Sequence, residues 1–353
     1  MFQPEDFIFH FNKEELPEQF TTTGEAPSNI AIVKYWGKKG LQISMNTSIS
    51  FTLTKSKTIT SVHAKKLSKP HDEVLFSFLF ERKENPVFNK KLKDFFRRIE
   101  AYAPYIKNYK WHFESRNTFP HSSGIASSAS GFAALAKIIM ELEQKIRPEN
   151  SPEFHLAKTS FIARLGSGSA ARSVAGPVMI WGKHNEIKET SDNYAIVWNH
   201  LHKNFNTISD FIILVEEGTK QVSSTTGHAL MQQHPFKEKR ISIAQQRVIQ
   251  TMNALETGDW EQFGKILEEE ALMLHAMMMT SDPYYLLMKP ETLKIIQSLW
   301  DYRKQTSIPV YFTLDAGANV HLIFPASYNN QIKDWLESDL KLDKNYISDY
   351  ISS

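Results

Sequence analysis

The residues with the clearest chemical potential form a run of small and hydroxylated side chains at 119–131, directly before a strongly apolar helical pattern. Backbone N–H groups at a helix start are unpaired and lie at the positive end of the helix dipole. Small side chains let a phosphate approach these groups closely, and serine hydroxyls can ligate Mg²⁺. The run therefore predicts a phosphate-binding loop, although a serine-rich helix cap would explain it equally well.

A second donor-rich segment, Arg164 to Ser173, reads Arg-Leu-Gly-Ser-Gly-Ser-Ala-Ala-Arg-Ser. It contains the formal dinucleotide-binding pattern Gly-x-Gly-x-x-Ala, but a helix-like segment precedes it where that site requires a strand. It also lacks the Gly-x-Ser-x-Gly order of a hydrolase nucleophile elbow. A flexible loop that ends in Arg172 suits an anionic oxygen, and the alternative is a solvent-exposed loop with a surface ion pair.

Two shorter segments place charged groups at the ends of predicted strands. Lys34 and Lys38 follow an apolar run, with aromatic residues between them. This combination fits a small polyanion better than nucleic acid. Asp315 begins a tight turn between two predicted strands. A hairpin turn explains Asp, Gly and Asn there by itself, whereas a carboxylate at the end of a rigid strand is well placed for a general base.

The composition excludes several other kinds of site. The 353 residues contain no cysteine, which rules out disulfides, thiolate nucleophiles and sulfur-ligated metals. The 13 histidines show no metal-ligand spacing, and no Gly-x-x-x-x-Gly-Lys-Ser/Thr loop occurs. A net charge of +2 gives no support for nucleic acid or an anionic membrane as a partner. No apolar run reaches the roughly 20 residues of a spanning helix, and residues 1–25 do not read as a secretory signal.

Strand-like and helix-like segments follow one another irregularly, which predicts an α+β fold. Helical or alternating periodicity gives the individual elements. The predicted strands are 29–33, 48–54, 178–181, 211–215, 310–314 and 320–324, and the predicted helices are 91–101, 131–145 and a pair within 238–279 that is split near Gly258. Ser281-Asp282-Pro283 is typical of a capped helix start. The chain length and the loop-like stretch at 202–209 predict two domains, 1–208 and 209–353.

Taken in order, these segments resemble the diphosphomevalonate decarboxylase family of the GHMP kinase superfamily. The similarity extends from about Ala26 to Phe324. The serine-rich loop alone would indicate only the superfamily. Three segments together are specific to the decarboxylase branch: Lys34-Tyr35-Trp36-Gly37-Lys38, Gly166-Ser167-Gly168-Ser169-Ala170-Ala171-Arg172 and Asp315-Ala316-Gly317.

The resemblance implies a ribosomal protein S5 domain 2-like N-terminal domain and a ferredoxin-like C-terminal domain, with the site between them. It implies ATP-dependent decarboxylation of (R)-5-diphosphomevalonate to isopentenyl diphosphate through transient 3-O-phosphorylation. ATP and Mg²⁺ are the implied cofactors, and the implied state is a cytoplasmic homodimer that binds neither nucleic acid nor membrane. Asp315 would be the catalytic base, with Lys34 and Arg172 beside it. Ser128 would be the fourth catalytic residue and would face the ATP phosphates and Mg²⁺.

The resemblance also assigns binding residues. For the substrate they are Tyr35, Trp36, Gly37, Lys38, Lys91, Ser167, Gly168, Ser169, Ala170, Ala171, Arg172 and Thr225. For ATP they are Pro120, Ser122, Ser123, Gly124, Ala126, Ser127 and Ser128.

The sequence departs from the family pattern at several positions. His228 stands where methionine is usual, Ala171 replaces a common cysteine, and Lys91 stands for an arginine that binds the diphosphate. Lysine keeps the charge but loses the bidentate fork of arginine. Two alternatives therefore stay open: a decarboxylase of the monophosphate, and a kinase that acts on mevalonate or its monophosphate and stops. A third is a catalytically inactive relative that only binds ligands.

Overall fold

The computed structural model describes residues 1–120, 127–216, 224–342 and 346–352, and it contains two β-sheets with helices packed on them. The strands of the first half are β1 Gln19–Val33, β2 Lys38–Gly40, β3 Ile43–Ser44, β4 Ser48–Lys66, β5 Leu75–Phe80, β6 Lys83–Glu84, β7 Tyr109–Asn117, β8 Val178–Trp181 and β9 Ala195–Trp198. Seven of them form one sheet in the order β6-β5-β7-β4-β8-β9, with β1 paired to β4, while β2 and β3 form a separate hairpin. The helices of this half are α1 Pro86–Ile99, α2 Ser127–Ile146 and α3 Pro152–Gly166.

The second half is built on an antiparallel sheet of four strands. These are β10 Thr207–Ile213, β11 Tyr311–Thr313, β12 Val320–Pro325 and β13 Tyr346–Ser352, in the order β11-β12-β10-β13. Its helices are α4 Ser224–Leu230, α5 Lys237–Thr257, α6 Trp260–Met279, α7 Pro290–Thr306 and α8 Asn329–Ser338. The mixed architecture confirms the expected α+β class. None of the helices in the described ranges is long and apolar enough to cross a membrane.

Alternating burial explains the long strand β4. From Ser56 to Ala64 every second residue is buried, so one face of the strand lies against the interior. On that face Thr58 Oγ1 lies 2.6 Å from Ser130 Oγ of α2. Helix α2 is buried along most of its length, because Phe132 and Leu135 belong to the core of this half. The helix predicted at 131–145 lies within α2.

The two sheets share a buried apolar cluster. Ile30 and Phe51 enter it from the first sheet, and Ile212 and Ile323 enter it from the second. Helices α5 and α6 complete the cluster with residues such as Val248 and Leu267. Burial of apolar area is the main favourable contribution to folding, at about 25 cal/mol per Å². The shared cluster therefore fixes how the two sheets lie against each other.

Asp349, in β13, adds a polar connection between the sheets. Its Oδ1 accepts hydrogen bonds from the backbone N–H groups of Thr54 at 3.1 Å and Lys55 at 2.8 Å, and its Oδ2 accepts one from Ser56 at 2.7 Å. Three charge-assisted hydrogen bonds compensate a buried carboxylate for its lost hydration. The last strand is thereby anchored to the middle of β4.

One of the sequence-based expectations is wrong, and another is not tested. The helix start predicted at Ser281-Asp282-Pro283 is wrong, since the next helix, α7, begins at Pro290. Ser281 instead closes α6, because its hydroxyl donates to the carbonyl of Met278 at 2.9 Å and to that of Pro283 at 2.6 Å. The domain boundary at 208/209 stays a prediction, although it would cut β10, and the chain changes sheet between Trp198 and Thr207.

Candidate active site

Lys34 and Asp315 form an ion pair between the two halves of the chain. Lys34 directly follows β1 and Asp315 lies two residues after β11. The Lys34 ammonium lies 3.3 Å from Asp315 Oδ1, with side-chain exposures of 2% for the lysine and 30% for the aspartate. Burial lowers the pKa of Lys34, and the negative charges of Asp315 and Glu270 oppose that shift. The pair places a carboxylate that solvent can reach beside a buried amine.

The backbone of Lys34 is held on both sides by residues of α5 and α6. Its N–H donates to Glu270 Oε2 at 2.8 Å, and its carbonyl accepts from Arg240 Nη2 at 3.1 Å. Arg240 also forms two hydrogen bonds to Glu270, at 2.9 and 2.7 Å, and Arg247 adds a third at 2.7 Å. A buried carboxylate with this many charged donors is compensated rather than strained. The backbone of Lys34 is thus fixed by the second half of the chain.

His275 holds the other member of the ion pair from the same helix. Its Nε2–H donates to the backbone carbonyl of Asp315 at 3.1 Å. Burial lowers the pKa of His275 to about 4, and the charge of Lys34 contributes to the same shift. The imidazole is therefore neutral near pH 7. Helix α6 contacts the backbone of Lys34 through Glu270 and that of Asp315 through His275, so one rigid element sets the spacing of the pair.

Arg172 brings a cation with unused donors to the same place. It lies in the short helical turn Gly168–Arg172 and is almost completely buried. Within the described residues its Nε and Nη1 have no hydrogen-bond partner, and the hydroxyl of Tyr35 also has none. Burial lowers the pKa of Arg172 to about 10, while the charge of Asp315 opposes the shift. The guanidinium stays charged, and an anionic ligand would satisfy these donors.

The segment from Tyr35 to Lys38 lies against this arginine. Gly37 adopts a φ of +89°, and a Cβ there would lie 2.6 Å from Met45 Sδ, so a larger residue does not fit. Burial lowers the pKa of Lys38, as does the charge of Arg98, which is therefore near it. Arg98 was not predicted as a site residue, and its Nη1 also donates to the Leu165 carbonyl at 2.9 Å.

The loop after α3 packs directly on this segment. A Cβ at Gly168 would lie 2.7 Å from the hydroxyl oxygen of Tyr35, so only glycine allows this approach. Asn29 of β1 donates through Nδ2 to the Ser169 carbonyl at 3.2 Å and to Ser173 Oγ at 2.7 Å. Of the candidate residues in this loop, Gly168, Ala170 and Ala171 are buried, whereas Ser167 and Ser169 are half-buried. Trp36 packs in a separate apolar cluster, with Met231 and Leu274.

For some of the remaining candidate residues the structure gives an element and an exposure, and the others lie outside the described residues. Ser127 and Ser128 begin α2, with Ser128 exposed, and Pro120 is exposed before the gap. Lys91 is exposed on α1, seven residues before Arg98 and hence on the same helix face. The candidates Ser122, Ser123, Gly124 and Ala126 lie outside the described residues, and Thr225 is in α4 with its side chain outside them.

Within the described ranges, no group of three or more histidine or carboxylate side chains is arranged to hold a metal ion. The sequence did not indicate four residues that contact or lie near the candidate site residues: Glu270, Arg240, His275 and Arg98. Charged residues repeated along an amphipathic helix are usually on its solvated face, so their types gave little warning of burial.

Comparison with known proteins identifies the class first. A structure of the mevalonate diphosphate decarboxylase from Enterococcus faecalis covers 95% of this chain and 97% of its own, with a TM-score of 0.80 and 27% identity. A structure of MDDEF in complex with MVAPP, AMPPCP and magnesium gives a TM-score of 0.81 at 27% identity, covering 95% of this chain and 97% of that one. The fold is therefore the two-domain GHMP kinase fold.

Sequence comparison then gives the family. A diphosphomevalonate decarboxylase-like N-terminal domain matches residues 26–195, and a mevalonate 5-diphosphate decarboxylase C-terminal domain matches 211–352. The diphosphomevalonate decarboxylase of Candida albicans is 29% identical over 325 residues, which cover 89% of this chain and 86% of that protein. The chain belongs to the diphosphomevalonate decarboxylase family.

Proposed function

We propose that the chain converts ATP and (R)-5-diphosphomevalonate into isopentenyl diphosphate, ADP, phosphate and carbon dioxide. The observation that carries this proposal is the Lys34–Asp315 ion pair beside Arg172, whose Nε and Nη1 are unpartnered within the described residues. A partly exposed carboxylate, a buried amine and an unsatisfied guanidinium are what phosphoryl transfer to an alcohol next to a carboxylate requires.

Asp315 acts as the general base in the first step. It accepts the proton of the 3-hydroxyl while that oxygen attacks the terminal phosphorus of ATP, and ADP leaves with the electrons of the broken P–O bond. The ammonium of Lys34, 3.3 Å away, favours the ionised form of Asp315. The same positive charge stabilises negative charge on the transferring group.

Arg172 acts in the second step, in which the new phosphate ester decomposes. The C–O bond to phosphate breaks, the C–C bond to the carboxylate supplies the electron pair of the new double bond, and carbon dioxide departs. The free donors of Arg172 hold the substrate carboxylate until that bond breaks. No covalent enzyme intermediate is needed, because positioning and electrostatics supply the catalysis.

The substrate diphosphate is held by the two packed segments and the cations near them. Tyr35, Trp36, Gly37 and Lys38 form one side, Ser167 to Ala171 the other, and Thr225 and Lys91 extend the site. The proposed ATP-binding residues are Pro120, Ser127 and Ser128, together with Ser122, Ser123, Gly124 and Ala126, which lie outside the described residues. Ser128 would contribute its hydroxyl to Mg²⁺, which would neutralise charge on the phosphates.

An end-point assay with the mono- and diphosphorylated acids tests this proposal. Carbon dioxide and inorganic phosphate should appear together, in equal amounts, and only with ATP present. We expect kcat/KM to favour the diphosphate on the order of a hundredfold or more, since losing two charge-assisted hydrogen bonds costs roughly 3–6 kcal/mol.

Exposed Lys91 in place of a bidentate arginine is the observation that favours a monophosphate substrate instead. Equal kcat/KM values for the two acids, or a preference for the monophosphate, would establish that alternative. ADP formation without carbon dioxide would identify a kinase, and no ATP turnover with either acid would identify a binding protein.

The cytoplasmic location, the homodimeric state and the domain division 1–208 and 209–353 are also proposals. Cell fractionation, sedimentation at several concentrations and limited proteolysis test them in that order.

A further inference from the structure

His228 connects α4 to the segment that carries Tyr35, Gly37 and Lys38. Its Nδ1 accepts a hydrogen bond from the backbone N–H of Gly37 at 3.1 Å. Its ring centroid lies 4.2 Å from that of Tyr35 and 5.0 Å from that of Trp36. Because Nδ1 is the acceptor, the ring proton of the neutral imidazole is on Nε2.

The hydrogen bond matters because the backbone at Gly37 is unusual. Its φ of +89° directs the chain into the left-handed region, and Met45 and Met231 enclose it. The N–H of a buried residue in such a turn needs an acceptor, since an unpaired one is costly. A methionine at position 228 would offer only a weak thioether acceptor.

Burial and the charges of Lys38 and Arg172 lower the pKa of His228 to about 3. The imidazole is therefore neutral near pH 7 and keeps its acceptor there. A protonated ring would have lost the lone pair that Gly37 uses.

We propose that His228 is a substrate-positioning residue: it holds the Gly37 amide and thereby orients Tyr35 and Lys38 toward the phosphate-bearing end of the substrate. Tyr35 is the link to the facing loop, because its hydroxyl lies against Gly168. The rings of His228 and Trp181 both pack against Tyr35, with centroid distances of 4.2 and 4.9 Å. The inference rests on the proposed function only in naming the diphosphorylated acid as the ligand.

Two substitutions separate the hydrogen bond from the bulk of the ring. His228→Met keeps the volume and loses the strong acceptor, whereas His228→Asn places its Oδ1 close to the position of Nδ1. We expect His228→Met to raise KM for the diphosphorylated acid about tenfold, equivalent to about 1.4 kcal/mol. KM for ATP and kcat should stay within about twofold, and His228→Asn should recover most of the lost affinity.

His184 offers a matched control. It is buried to a similar degree and its Nδ1 also accepts a backbone N–H, that of Glu186 at 3.1 Å, but it lies outside the proposed site. His184→Met should leave KM for the acid unchanged. An equal rise in that variant, an unchanged KM in His228→Met, or a parallel loss of ATP affinity would overturn the positioning role.

Binding of inorganic pyrophosphate by calorimetry keeps this test separate from the test of the overall function. If the unmodified chain does not turn over the diphosphorylated acid, weaker pyrophosphate binding by His228→Met than by His228→Asn would still support the inference. Equal binding by the two variants would overturn it, whatever reaction the chain catalyses.

Discussion

Two buried lysine–carboxylate pairs in the described part of the chain differ in how completely the protein encloses them. Lys158 Nζ lies 2.7 Å from both carboxylate oxygens of Glu143, with side-chain exposures of 1% and 0%. The Tyr105 hydroxyl adds a hydrogen bond to Glu143 at 3.3 Å. Lys34 and Asp315 are 3.3 Å apart, and 30% of the Asp315 side chain remains exposed.

The difference separates an ion pair that belongs to the core from one that is available for reaction. Burial lowers the pKa of both lysines, and the partner carboxylate opposes the shift in each. In the core pair, the hydrogen-bonding capacity is used within the protein. In the Lys34–Asp315 pair, the partly exposed carboxylate is placed to accept a proton from a bound alcohol. Enclosure, more than residue type, distinguishes the two roles.

The largest expected effect on catalysis comes from removing the carboxylate of Asp315. Asp315→Asn should lower kcat by about 10²- to 10⁴-fold, because the amide cannot take the proton of the 3-hydroxyl. ATP binding should persist, since the proposed ATP loop lies on another element. Carbon dioxide release and ATP affinity measure the two effects. Near-normal release of carbon dioxide would contradict the assignment of the base.

The equivalent substitution in the Lys158–Glu143 pair should lower stability and leave kcat unchanged. Glu143→Gln leaves Lys158 charged and uncompensated, so the free energy of unfolding should fall by about 3–5 kcal/mol. The kcat per folded molecule should be retained, because neither Lys158 nor Glu143 belongs to the proposed site. Denaturant unfolding and an active-site titration check this. A large loss of kcat in the folded variant would remove the distinction between the pairs.

Acid should lower the free energy of unfolding through protonation of His275. Its pKa is about 4 in the folded chain and 6.5 without burial, so the unfolded state binds more protons in this range and stability falls as pH falls from 6.5 to 4. Between pH 7 and 5 the loss should be about 2 kcal/mol from this group. His275→Gln keeps a donor for the Asp315 carbonyl but does not titrate.

The measurement is the free energy of unfolding of both proteins at pH 7 and pH 5. The variant should lose about 2 kcal/mol less than the unmodified chain. Equal losses would mean that the buried imidazole does not resist protonation.

The smallest expected effect concerns the nucleotide side. Ser128→Ala should lower kcat/KM for ATP about tenfold, as expected for one lost hydrogen bond to a charged ligand. KM for the acid should be unchanged. Ser151→Ala is the control, because Ser151 accepts the N–H of Phe154 and caps α3 away from the site. A rise in KM for the acid alone would show that the two subsites have been misassigned.

Sequence periodicity predicted those elements that depend on local apolar patterns. The strand at 178–181 matches β8, and the paired helices split at Gly258 match α5 and α6. The prediction of a helix start at 281–283 was wrong because serine and proline occur both at helix starts and in turns. The hydrogen bond from Ser281 to the carbonyl of Met278 shows that this segment ends the preceding helix. Caps are local signals, and tertiary contacts select among them.

The sequence indicated the candidate site residues but not the buried residues that hold them in place. Lys34 and Asp315 are 281 positions apart, and the family resemblance, not spacing, placed them together. Glu270 and Arg240 could not be assigned, because charged residues on a long helix usually face water. Their burial depends on the packing of α5 and α6 against β1, which no local pattern encodes.

The apolar cluster common to both sheets governs how the chain loses its structure. Separating the sheets would uncover Ile30, Phe51 and Ile212 at the same moment, so each half would expose apolar surface without the other, although each also has a core cluster of its own. This shared surface is expected to couple the unfolding of the two halves. A fragment cut within the connection before β10 would present this cluster to water and aggregate.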